Sequence, residues 1–143
     1  GIAVAFVQDN ESTSKYGVVR GLHFQTGAHG QAKLVRVVKG SALDVVVDLR
    51  KGSPSFGKSF SIVLSGENKK QLFVPRGFAH GFSVLEDDTV FAYKCDAYYN
   101  KESERGIVYN DATLAIDWHL SSNAMIVSKK DLELPTFAAI KPE

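Results

Sequence analysis

"KLVRVVKGSALDVVVDLR", residues 33–50, decides the fold. Side chains alternate between the two faces of a β-strand. In the second half, Leu43, Val45, Val47 and Leu49 therefore share one face, against Asp44, Val46 and Asp48 on the other. In the first half, Lys33 shares its face with Val35 and Val37. The two runs read as consecutive strands, and the pattern continues outward. "GVVRGLHFQTG" (17–27) precedes them, with Leu22 and Phe24 on one face and His23 and Gln25 on the other. After the loop "KGSPSFG" (51–57) come "SFSIVLS" (59–65), the turn "GENKK" (66–70) and "QLFVP" (71–75). "RGFAHG" (76–81) reads as a further turn, before the strands "FSVLE" (82–86) and "TVFAYKCDAYY" (89–99). Short strands separated by Gly, Pro, Ser and Asn clusters predict an all-β sandwich or jelly roll. No segment keeps a long 3.6-residue period. "NKESERG" (100–106) is expected to form one helical turn, and "SKKDLELP" (128–135) a surface or rim segment.

At 143 residues the chain fits one domain with a sizeable core. A net charge of +1 gives no electrostatic case for nucleic acid or a membrane as the main partner. The apolar runs fall far short of the ~20 residues needed to span a bilayer. The lone cysteine, Cys95, excludes an internal disulfide and sits in an apolar run as a small core residue, so a cytoplasmic location is expected. The opening "GIAVAFVQDN" lacks an initiator Met and reads like the inside of a strand, as in a fragment of a longer product.

The same alternation locates the chemistry. In "TVFAYKC", Tyr93 shares its face with Phe91 and Cys95, and Lys94 points to solvent. His23, Lys33 and Tyr93 can thus all point into one barrel interior. Taken singly, each is more often structural: a packed histidine, a snorkelling lysine, a tyrosine with a satisfied hydroxyl. Together, a base, a cation and a phenol suit proton abstraction beside a carbonyl. Metal chemistry is the competing reading. A metal-binding barrel usually shows two histidines one residue apart, but "LHFQ" has one, and His80 lies far along the chain. No metal is therefore expected. His29 and His119 receive no role. The sequence has neither a phosphate-cradling glycine loop nor a Gly-x-Ser-x-Gly elbow.

Seven segments in order, "FVQDN", "GVVRGLHFQ", "QAKLVRVVKG", "DVVVDLRKGSPSFGK", "LSGENKKQLFVPRGFAHGF", "YKCDAYY" and "SKKD", resemble the dTDP-4-dehydrorhamnose 3,5-epimerases. The resemblance runs from about Phe6 to Pro135. It implies a cupin jelly-roll barrel (a double-stranded β-helix), a homodimer, and no metal or organic cofactor. The implied substrate is dTDP-4-dehydro-6-deoxy-D-glucose, epimerised at both carbons beside the ketone on the way to dTDP-rhamnose, a precursor of bacterial surface polysaccharides. By this resemblance His23 is the general base, Asp131 the carboxylate that orients it, Lys33 the cation near the ketone oxygen, and Tyr93 the proton donor on the opposite face. Gln8, Asp9, Asn10, Arg20, His80, Glu104 and Lys130 match substrate-contacting positions, and Tyr99 the aromatic that stacks on thymine. Family members carry several dozen residues before "FVQDN" that reach the nucleotide, so nucleotide binding and dimer strand exchange are the expected weak points. Two rival readings are a single-site epimerase or ketoisomerase of a dTDP-sugar pathway, and a non-catalytic sugar-nucleotide-binding cupin.

Overall fold

Ten strands, assigned in a computed structural model that describes residues 1–141, form two packed antiparallel sheets. They are β1 (Gln8–Ser14), β2 (Val18–Gln25), β3 (Lys33–Lys39), β4 (Ser41–Asp48), β5 (Ser59–Ser65), β6 (Gln71–Val74), β7 (Phe78–Val84), β8 (Thr89–Cys95), β9 (Glu104–Gly106) and β10 (Ile126–Val127). One sheet runs β1-β8-β3-β6; the other runs β10-β2-β7-β4-β5, with β9 also on β2. Among the described residues, only the short β10–β2 pairing is parallel. The architecture is the jelly-roll barrel that the strand spacing predicts.

The central strand β4 explains the run of valines. All but its first residue are buried, because it faces apolar layers on both sides. Leu43, Val45 and Val47 pack with Leu22, Ile107 and Trp118 in a layer closed by the C-terminal third of the chain. Ala42 and Val46 point the other way, into the barrel, against Val35, Phe82 and Phe91. The rings of Phe82 and Phe91 stack at 4.0 Å between centroids. At the end of β4, buried Asp48 accepts hydrogen bonds from the Arg50 guanidinium and from the hydroxyls of Ser53 and Ser55, which closes the "KGSPSFG" loop. Cys95 is fully buried, as its setting predicts.

Three local expectations need correction, and a fourth gains detail. Residues 1–7 form no strand, and Ile2 and Val7 are exposed: apolar content alone does not make a strand without a partner to cover it. "RGFAHG" is a turn only at its start; Phe78–Gly81 belong to β7, which places His80 inside the sheet. "NKESERG" forms its expected helical turn, of 3₁₀ type at Lys101–Ser103, and then runs straight into β9. "SKKDLELP" is not all surface, because the helical turn α1 (Lys129–Leu132) buries Asp131. Among the described residues, no helix is long and apolar enough to cross a membrane.

Candidate active site

A cavity of about 260 Å³ opens at one end of the barrel, lined by Arg20, His23, Lys33, His80, Tyr93, Lys130 and Asp131. Strand parity places them. His23 and His80 are cross-strand partners on β2 and β7 of the larger sheet. Lys33 and Tyr93 come from β3 and β8 of the smaller one. The base candidate and the phenol therefore stand on opposite walls.

His23 and Asp131 form the central pair. His23 Nε2 lies 2.7 Å from Asp131 Oδ1, and the backbone N–H of Gly21 donates to Asp131 Oδ2 at 3.0 Å. Ser128 caps α1 by accepting from the Asp131 N–H, which fixes where the carboxylate is presented. Gly21 has φ 112°, and a Cβ there would fall 2.8 Å from the His80 carbonyl oxygen and 2.7 Å from Gly81 Cα. Only glycine permits this approach of β2 to β7. Burial works against ionisation of Asp131, but the bonds from His23 and Gly21 outweigh it and hold the pKa below the ordinary carboxylate value. An ionised carboxylate can only accept, so Nε2 carries the proton and Nδ1 is the ring nitrogen left to take one. The His23 side chain keeps 29% of its surface accessible, enough to be reached from the cavity.

Tyr93 lies across from this pair. Its neighbours in register are Asn10 on β1 and Val35 on β3. Burial is the main reason its pKa rises above the usual phenol value, with the Cys95 side chain adding to the rise, so the hydroxyl stays protonated at neutral pH. The Lys33 ammonium sits 5.5 Å from the centre of the Tyr93 ring. Loss of solvation pulls the Lys33 pKa below the ordinary lysine value. At the rim, Lys130 and Glu104 form an ion pair of 2.5 Å. On the wall shared with His23, buried His80 places Nε2 2.5 Å from Oδ1 of the fully buried Asp44, a partner the sequence reading did not identify.

The remaining expected site residues lie outside the cavity lining. Asn10 turns inward on β1, with its amide 3.9 Å from Cys95 Sγ, and accepts from the Gln8 side chain. Gln8 Oε1 in turn accepts from the backbone N–H of Tyr99, whose ring is about half exposed. Asp9 points the other way and pairs with Lys94 on the outer face of the smaller sheet. Among the described residues, no three His, Cys, Asp or Glu side chains converge to hold a metal ion. The cavity's chemistry is that of an acid–base site: a carboxylate-oriented imidazole, an opposed phenol, and a poorly solvated lysine beside the phenol ring.

Residues 1–139 match the family model described as dTDP-4-dehydrorhamnose 3,5-epimerase. A protein of that description from Escherichia coli K12 is 52% identical over 136 residues, covering 95% of this chain and 73% of its own. The crystal structure of the Elizabethkingia anophelis NUHP1 dTDP-4-dehydrorhamnose 3,5-epimerase superposes with a TM-score of 0.93 at 56% identity, covering 94% of this chain and 73% of that one. The Legionella pneumophila dTDP-6-deoxy-D-glucose-3,5-epimerase, solved with dTDP-4-keto-L-rhamnose, also gives 0.93, at 50% identity, covering 98% of this chain and 73% of that one.

Proposed function

Because the chain belongs to the dTDP-4-dehydrorhamnose 3,5-epimerase family, an isomerase family, we propose that it epimerises dTDP-4-dehydro-6-deoxy-D-glucose at carbons 3 and 5, giving dTDP-4-dehydro-L-rhamnose. The ketone at carbon 4 acidifies both neighbouring C–H bonds, so one enolate chemistry serves both centres. His23 Nδ1 takes the proton, and the C–H electron pair moves onto the ketone oxygen. Lys33 stabilises the charge that develops there. Tyr93 then donates its hydroxyl proton to carbon from the opposite face, which inverts the centre. Exchange with solvent returns a proton to Tyr93 and removes one from His23. Asp131 fixes the His23 tautomer and stabilises the imidazolium that forms. Arg20 and Lys130, cations at the cavity mouth, suit the diphosphate, and Tyr99, tied to Gln8, offers an exposed ring for the base. The family reading also carries a homodimer, whose stoichiometry sedimentation would give.

The observation that supports this reading best is the His23–Asp131 pair set against Tyr93 across one cavity, one partner from each sheet. The test is product formation from the purified ketosugar by the unmutated protein and by His23→Ala. Turnover by the first and its loss in the second support the assignment. Turnover that survives in His23→Ala assigns the base elsewhere.

A further inference from the structure

The Asp44–His80 pair is left over by this chemistry. Asp44 has no exposed surface, and its Oδ2 has no hydrogen-bond partner among the described residues. An unpartnered buried carboxylate oxygen is costly, so its retention calls for a reason. Asp44 shares the inward face of β4 with Ala42 and Val46, and Lys33 shares the inward face of β3 with Val35, so both side chains enter the same barrel interior. Among the described residues, the Lys33 ammonium makes no hydrogen bond or ion pair; it lies 5.5 Å from the centre of the Tyr93 ring and feels the charges of its neighbours only at longer range.

We propose that Asp44 is a positioning residue of this site: anchored by His80, its buried carboxylate keeps the Lys33 side chain charged at the inner end of the cavity. The role for Lys33 rests on the epimerase reading above. From β8, Tyr93 and Cys95 are both held neutral, since burial raises the pKa of each, so neither supplies a negative charge at neutral pH. From β9, Glu104 bears on Lys33 but is committed to Lys130 at the rim. From α1, Asp131 is committed to His23 and Gly21. Arg20 and His23 of β2 and His80 of β7 supply no anion. That leaves Asp44, with one oxygen uncommitted, as the anion inside the barrel that opposes the desolvation of Lys33. His80 then acts through Asp44, holding Oδ1 so that the second oxygen keeps its place.

The experiment follows the Lys33 amine by ¹³C and ¹⁵N NMR titration in the ligand-free protein. In Asp44→Asn the Lys33 midpoint should fall by about one pH unit or more, and the alkaline limb of kcat/KM should move down with it. His80→Gln keeps a hydrogen-bond donor for Asp44, so its Lys33 midpoint should not fall. Lys33→Met reads the same coupling from the other side: by linkage the Asp44 carboxyl midpoint should rise. That variant carries the test if Asp44→Asn does not fold. An unchanged Lys33 midpoint in Asp44→Asn, an unchanged Asp44 midpoint in Lys33→Met, or an equal fall in His80→Gln would each overturn the proposal. These titrations need no turnover, so their failure is distinct from failure of the epimerase assignment.

Discussion

Asp131→Asn tests the heart of the site, because the structure dictates how the new side chain must sit. The Gly21 N–H can only donate, so the asparagine has to keep its oxygen there. Its NH₂ is then forced toward His23 Nε2, 2.7 Å from the present oxygen. Nε2 must become the acceptor, and the ring proton moves to Nδ1, the nitrogen that should take the substrate proton. The imidazole keeps its place but is in the wrong tautomer. Loss of a general base typically costs about 10²–10⁴-fold in rate, equivalent to about 3–5 kcal/mol of barrier. KM should change little, since no group that holds the nucleotide is touched. Stability should fall by about 1–3 kcal/mol for the lost charge-assisted bond. That deficit has a pH signature. The Asp131 pKa is lowered on folding, so its contribution is present above the unfolded value of about 4 and disappears as pH falls through the folded value. Steady-state kinetics by NMR detection of product, with urea unfolding at pH 7 and below pH 4, reads all three quantities. Unmutated kcat in a folded Asp131→Asn would refute the tautomer argument.

Tyr93→Phe keeps the ring against Phe91 and under Lys33 and removes only the hydroxyl. It should cut epimerisation more than solvent exchange, since His23 can still take a proton and return it to the same face; proton NMR in deuterated water separates the two rates. Asp48→Asn should cost about 2 kcal/mol at pH 7 through its lost charge-assisted bonds. The Arg50 guanidinium, helped by Ser53 and Ser55, holds the Asp48 carboxyl far below its usual range. The native advantage is therefore full above about pH 4 and shrinks as pH falls below that. Urea unfolding across pH 3–7 should show the two proteins converging on the acid side.

Much of this was legible in the sequence, for identifiable reasons. The alternation in "KLVRVVKGSALDVVVDLR" and "TVFAYKC" fixes which side chains face inward, and Lys33 and Tyr93 do line the cavity. His80 was harder to place. The glycines of "RGFAHG" read as a turn, but Gly81 sits within β7 because its backbone passes close to β2: a Cβ there would lie 2.6 Å from the Arg20 carbonyl oxygen. A turn there hides the Asp44 pairing, although an acid inside an apolar run is the available signal. The burial of Asp131 depends on α1 folding back over β2, a contact between residues 110 positions apart in sequence that no local pattern encodes. Asp9 has the opposite parity to Gln8 and Asn10 on β1, so strand geometry separates it from them even though the motif groups the three.

One site is expected to remove and replace a proton at both carbons beside the ketone. Running the unmutated protein with dTDP-4-dehydro-6-deoxy-D-glucose in deuterated water, and locating the label by NMR and mass spectrometry, tests it most directly. Two deuterons per product are expected, one at carbon 3 and one at carbon 5, with both centres inverted. A single deuteron would mark a single-site epimerase, and an unlabelled, unconverted sugar would contradict the enolate chemistry altogether.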